Sequence, residues 1–332
     1  MTVFVTGASG YLGRAVVGLL LERGARVRCL WRGDPALAPW GGRVDLVRGD
    51  VTDPAALRRG LAGAEVVFHM AACVKTWARD RALFDRVNVE AVERVLEEAR
   101  AAGARRVLYT SSFIALGPTD GRVADETTRH AGDRYRNDYE RTKALGLARA
   151  RAAAASGAPL VILIPGVIYG PGALTDGNHV ARIVRDFLRR RLPGIPGSGT
   201  RLWTYAYVED VARGHLQALD RGADGGAYAL GGEDGDLIGV LALLEELTGV
   251  RAPRRRLPLA LLKAIGAGEV GLAHLTGRTP LLTPGVAEIY DHEWRISSET
   301  ARRALGYETT PLRDGLARTV AWVRRELLGE RA

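Results

Sequence analysis

The chain has few cysteines, few lysines, few aromatics and no uninterrupted apolar run. Its two cysteines, Cys29 and Cys73, each sit in an apolar, strand-like context, which excludes a disulfide framework or a four-ligand zinc site and fits a reducing compartment, with a cytoplasmic location expected. No metal site is expected. No basic leader precedes the first apolar strand, which begins at Thr2, so no signal peptide is expected. The most apolar stretch, Leu257 to Thr276, is interrupted by Lys263, Glu269, His274 and several glycines; this argues against stable membrane insertion. Lysine occurs only at positions 75, 143 and 263, so nearly all of the 47 cationic residues are arginine. The net charge of +9 raises the question of a nucleic-acid partner. Acidic residues are interleaved with the arginines almost everywhere, and the tight runs Arg189-Arg190-Arg191 and Arg254-Arg255-Arg256 read as solvated surface, so none is expected. With 332 residues, 47% of them hydrophobic and 26% charged, the chain can build a large core, and disordered or fibrous classes are excluded.

The first half alternates β-branched runs with helical periodicity, the pattern of βαβ units and a parallel sheet. Strands are expected at Thr2–Thr6, Arg26–Trp31, Val44–Arg48, Glu65–Met70, Arg106–Thr110 and Leu160–Ile164. Helices are expected at Tyr11–Arg23, after the Asp53-Pro54 cap, at Arg81–Ala102 and at Asp133–Ser156. After Pro165, glycine and proline become frequent and helical pieces such as Val180–Arg191 and Asp236–Leu247 are separated by loops. The expected architecture is α/β: a doubly wound Rossmann domain over residues 1–165, and a smaller, loop-rich substrate lobe over 166–332, partly interleaved with the first.

Gly7-Ala8-Ser9-Gly10-Tyr11-Leu12-Gly13 joins the first strand directly to the first helix. Glycines there permit a tight turn and close approach of a diphosphate, and the helix N-terminus offers free N–H groups and a positive dipole end. Tyr139 and Lys143, spaced Y-x-x-x-K on a helix, share one face, so an ammonium can lower the phenol's pKa from near 10 by about two to three units. Thr110-Ser111-Ser112 ends the fifth strand, where ligands gather in open parallel sheets. The second strand ends Trp31-Arg32-Gly33; a guanidinium in place of the usual acid suits a ribose 2′-phosphate and favours NADP(H), while Asp34 leaves NAD(H) open.

The spacing of Thr6 to Gly13 resembles the phosphate loop of the extended short-chain dehydrogenase/reductases, the NAD-dependent epimerase/dehydratase family. Gly49-Asp50-Val51-Thr52-Asp53, Val67-Phe68-His69-Met70-Ala71-Ala72 and Asn88-Val89 match further family elements. The resemblance implies that Asp50 and Val51 lie at the adenine, and that Met70, Ala71, Ala72, Asn88, Thr110, Pro165 and Val167 line the cofactor with Gly7, Ser9, Gly10, Tyr11, Leu12, Gly13 and Arg32. It also implies a catalytic set of Ser112 (Ser111 is the weaker candidate), Tyr139 and Lys143, the last two also touching the cofactor.

Two departures bear on the substrate. Nucleotide-sugar enzymes of the family carry Arg and Asn where Ile164 and Val167 stand, and a diphosphate-clamping Arg where Trp203 stands. Their loss argues for an apolar substrate. Over nearly its whole length the chain resembles the dihydroflavonol-reductase-like group, and within it plant farnesol dehydrogenase and bacterial hopanoid-associated relatives. The implied activity is interconversion of a hydrophobic alcohol and its carbonyl, with Ser112, Phe113 and Trp203 at the substrate and Met70 and Leu257–Leu275 as further lining. A homodimer would be in keeping with the superfamily. The alternatives are a nucleotide-sugar epimerase, or a non-enzymatic cofactor-sensing or nucleic-acid-binding relative, against which the retained Tyr139 and Lys143 argue.

Overall fold

The computed structural model describes residues 1–330. Strands β1 (Thr2–Thr6), β2 (Arg26–Trp31), β3 (Asp45–Arg48), β4 (Val66–His69), β5 (Arg106–Thr110) and β6 (Leu160–Pro165) fall where the β-branched runs predict. With β10 (Ala227–Leu230) from the second half they form a seven-stranded parallel sheet in the order β10-β6-β5-β4-β1-β2-β3. Alternation sorts the side chains: Val3 and Val5 pack on one face and Phe4 on the other, with fully buried residues on both. Helices α1 (Tyr11–Glu22), α2 (Pro54–Leu61), α3 (Ala82–Asp85), α4 (Ala91–Ala101) and α5 (Asp138–Ala155) follow in chain order. A π-helical turn at Arg86–Glu90 links α3 and α4 into the single long helix expected there. α5 starts at 138 rather than 133, because Asn137 in extended backbone caps it by accepting from the Glu140 N–H at 2.8 Å.

The second half holds β7 (Val167–Tyr169), α6 (His179–Leu188), β8 (Ile195–Pro196), β9 (Trp203–Tyr207), α7 (Val208–Arg221), β10 (Ala227–Leu230), β11 (Asp234–Gly235), α8 (Leu237–Thr248), β12 (Arg256–Leu257), α9 (Leu259–Thr276), α10 (Pro284–Ile289), α11 (Glu299–Leu305) and α12 (Leu312–Trp322). Interleaving is deeper than the expected break at 165 suggests. α7 joins the core beside α1, and β10 pairs with β6, Tyr228 opposite Leu163, to complete the main sheet. α11 also packs into the main core through Ala301 and Leu305, while α6, β9, α8 and α12 build a separate core around Val184, Phe187, Tyr205, Leu244 and Leu316.

The stretch before Thr276 forms an 18-residue helix, α9, which by length and composition alone is apolar enough to cross a membrane, and only 11% of it is buried.

Candidate active site

The glycine loop is built by backbone against backbone. Gly7 has φ +78°, and a Cβ there would stand 2.6 Å from Ala71 N and the Met70 carbonyl carbon. A Cβ on Gly13 would lie 2.1 Å from the Gly7 carbonyl oxygen. The loop therefore presses α1 onto the end of β1 and β1 onto the exit of β4. His69 seals the same junction: its Nδ1 lies 2.8 Å from Thr6 Oγ1, and burial together with the Lys143 charge pushes its pKa down to about 3, so it stays neutral. Gly10 caps α1 with no side-chain hydrogen bond and no acid stands in the first turn, which leaves the Tyr11, Leu12 and Gly13 N–H groups available to an anion. This cradle fits a dinucleotide diphosphate. Ser9 lends its carbonyl to Arg14 Nε at 3.2 Å. The Tyr11 ring packs against Gly170 and Gly172.

At the ends of β2 and β3, Arg32 Nη1 meets Asp50 Oδ2 at 3.3 Å. Burial alone would raise the Asp50 carboxyl, but hydrogen bonds from the Thr52 N–H and hydroxyl, with Arg32, outweigh it and hold it below the ordinary value. The Arg32 side chain is 72% exposed, so most of its donors remain free for a second anion. Val51 is buried beside Asp50.

Asn88 is buried in the π-helical turn. Its amide accepts from the Cys73 N–H at 2.8 Å and donates to the Cys73 carbonyl at 3.1 Å and to Thr142 Oγ1 at 2.9 Å. Asn88 thereby pins the loop after Met70-Ala71-Ala72 to α5.

Ser112, Tyr139 and Lys143 converge at the carboxyl end of β5. Lys143 Nζ donates to the Thr110 carbonyl at 3.1 Å and lies 5.4 Å from the centre of the Tyr109 ring. The Thr110 hydroxyl is held by His215 Nε2 at 2.9 Å. Burial raises the Tyr139 phenol above its ordinary value, and the neighbouring Ser112 hydroxyl opposes that rise. This corrects the expectation that Lys143 lowers the phenol. The lysine is itself desolvated, its pKa pushed down to about 7, so it carries too little charge at neutral pH to dominate its neighbour.

Glu140, the fully buried residue after Tyr139, escaped the sequence reading. It takes Arg136 Nη1 at 2.7 Å, the Arg136 N–H at 2.8 Å and His130 Nε2 at 2.9 Å, and so fixes the approach to α5. Its place inside Y-x-x-x-K was the available signal, since a carboxylate beside an apolar helix face needs partners.

A small, partly open apolar pocket lies in the second lobe among Val167, Val180, Ile183, Trp203, Tyr205 and Leu237, with His179, Arg201 and Tyr290 at its polar points. Trp203 is where it was expected: its Nε1 donates to the His292 carbonyl at 3.0 Å and its ring lies 5.1 Å from that of Tyr290. Val167, expected at the cofactor, lines this cavity. Phe113 and Met70 lie outside the lining, Phe113 set edge-on to Trp294. α10 links the cavity to the β5 cluster: Gly285 packs against Arg136 and Asn137, and Tyr290 follows the helix.

The model of the NAD dependent epimerase/dehydratase family matches residues 3–231. The chain belongs to that family. Sterol demethylase protein B of Methylococcus capsulatus is 35% identical, over 98% of each chain. The 2-alkyl-3-oxoalkanoate reductase of Stenotrophomonas maltophilia is 31% identical, over 97% of this chain and 99% of its own. MoeE5, solved with UDP-glucuronic acid and NAD, superposes with a TM-score of 0.76 at 28% identity, over 98% of this chain and 99% of the other. As a member of the epimerase/dehydratase family, the protein is an NAD(P)-dependent enzyme of the extended short-chain dehydrogenase/reductase type, an oxidoreductase or epimerase. The family match closes at Gly231, one residue past β10, so the entire main sheet lies inside it and α8, α9 and α10 lie beyond it.

Proposed function

We propose that the protein interconverts a hydrophobic alcohol and its carbonyl, with NADP(H) preferred. The observation that carries this reading is the second-lobe cavity, walled by aliphatic and aromatic side chains and joined through α10 to the helix that bears Tyr139. The names of the sterol and alkyl-oxoalkanoate relatives support an apolar substrate.

Gly7, Gly10 and Gly13 with the first turn of α1 would hold the diphosphate, and Arg32 the 2′-phosphate. The bound nicotinamide supplies or accepts the hydride. Ser112 orients the substrate oxygen by hydrogen bonding. In reduction Tyr139 gives that oxygen its phenolic proton as the carbon gains hydride, and in oxidation the phenolate takes the proton back. Burial keeps the phenol protonated at neutral pH, so it has a proton to give in the reductive step. Lys143, poised near neutrality, can recharge Tyr139 or stabilise its phenolate.

Arg201 in the cavity lining favours a second reading, a nucleotide-sugar substrate, because a guanidinium there can meet a diphosphate. The apolar Val167 and Trp203 weigh against it. The deciding experiment is a turnover screen of long-chain and cyclic alcohols and ketones beside UDP- and dTDP-sugars, with both cofactors. Turnover of the apolar set that Tyr139→Phe lowers by about three orders of magnitude, with cofactor affinity kept within about twofold, is expected. Activity on the sugars alone, or near-normal rates in the variant, would overturn the reading.

A further inference from the structure

We infer that the outer face of α9 is a docking surface for an anionic lipid bilayer. The helix is amphipathic in the wrong sense for water. Leu261, Ile265, Leu272 and Leu275 form one stripe at helical spacing and are 47%, 45%, 57% and 85% exposed, and Leu281 just beyond is 94% exposed. The other outward positions, Ala260, Ala264, Ala267, Gly268 and Gly271, carry no charge, and only His274 and Thr276 add polarity. The two charged residues of the helix are engaged by neighbouring segments: the part-exposed Lys263 lies 3.6 Å from Glu288, and Glu269 accepts the N–H groups of Leu281 and Leu282. An ordinary solvent-facing helix reverses this arrangement.

Charge flanks the stripe at both ends. Arg251, Arg254, Arg255 and Arg256 are exposed just before α9 and Arg278 just after it, and among the described residues none of the five joins an ion pair. An apolar strip bracketed by free arginines matches the interface of a bilayer carrying acidic headgroups. A second copy of the chain is the poorer occupant, because antiparallel pairing across a two-fold axis would set the arginine-rich start of one helix against the Arg278 end of the other, cation against cation. The helix lies flat rather than spanning. A Cβ on Gly266 would stand 2.7 Å from the Thr283 carbonyl carbon, Ala273 is buried, and the His274 ring sits 5.5 Å from that of Trp77. The preceding Arg256–Leu257 strand pairs with Ile195–Pro196, whose loop runs on to Gly199 and Arg201 in the cavity wall. Docking here would set the cavity rim against lipid, although the binding itself does not depend on the substrate reading.

The test is co-sedimentation of the full-length protein with vesicles of phosphatidylcholine alone and of phosphatidylcholine with one-third phosphatidylglycerol, together with sedimentation velocity of the free protein. Binding to the anionic vesicles about tenfold above the neutral ones, weakened by salt, is expected. Leu272→Glu with Leu275→Glu should lower it about tenfold or more, and Arg254→Ser with Arg255→Ser several-fold, while thermal unfolding and cofactor binding hold as controls on folding. Leu275→Glu alone serves if the double variant misfolds. Equal sedimentation with and without vesicles, or retained binding in the glutamate variants, would overturn the proposal. So would a dimer that the same substitutions dissociate, since the face would then belong to a second copy. Each readout is independent of turnover, so a failed substrate screen leaves it intact.

Discussion

Replacing Lys143 by methionine should make the protein more stable while disabling it. The amine is buried and its pKa falls from the ordinary 10.5 to about 7. An unfolded chain keeps that proton up to about pH 10, whereas the folded chain releases it near neutrality. Below both values the lysine is charged in both states, and the folded state bears the whole cost of desolvating it. As the pH climbs through the folded value the unfolded state binds more protons than the folded one, so stability rises and the penalty fades towards the unfolded pKa. At about 1.4 kcal/mol per pK unit, the cost near pH 7 is on the order of 4 kcal/mol, and roughly a third of it is recovered by pH 8.5. Methionine removes the charge but strands the Thr110 carbonyl, a loss of about 1–3 kcal/mol, so a net gain of roughly 1–3 kcal/mol near neutrality is expected. Urea unfolding of both proteins near pH 7 and pH 8.5 measures this. The buried histidines titrate lower, His69 at about 3 and His215 at about 4, while burial of Cys29 acts alike in both proteins, so the difference between them isolates the lysine. Parallel pH dependences in parent and variant would refute the reasoning, and so would a variant less stable than the parent at both pH values.

Two further outcomes are expected. Gly13→Ala should weaken cofactor binding by about a hundredfold or more, since its Cβ meets the Gly7 carbonyl, whereas Gly18→Ala in the same helix meets nothing and should stabilise by about 0.5–1 kcal/mol; titration calorimetry and thermal melts distinguish them. Arg32→Ala should weaken NADPH by about tenfold or more and NADH by less than about threefold; equal losses would remove the basis for an NADP preference.

The strands and the glycine loop were legible because their signals are local: β-branched runs bounded by turn residues, and a spaced run of glycines set directly between the first strand and the first helix. The start of α5 was less so, because residues 130–137 are held by the buried Glu140, a tertiary contact that spacing does not reveal. β10 was missed because Ala-Tyr-Ala-Leu is short, alanine-rich and preceded by glycines, and becomes a strand only by pairing with β6. Tyr139 and Lys143 could be placed on one helix face, yet their ionisation could not be read there. Adjacency predicts a lowered phenol, and only the depth of burial reverses the sign. The cavity was foreseen through Trp203 alone, since its other walls come from four separate segments between Val167 and Tyr290.

The late arrival of β10 governs how this chain can be cut and how it emerges during synthesis. Six strands of the main sheet are complete by Pro165, but the outer edge of β6 waits for a partner more than sixty residues further on. A nascent or truncated chain ending in that interval presents Leu160 to Ile164, all fully buried in the finished protein, as an open template for a foreign strand. Fragments meant to carry the dinucleotide site alone should therefore extend through Gly231, and fusions or proteolytic nicks between 166 and 226 should favour aggregates over free half-proteins.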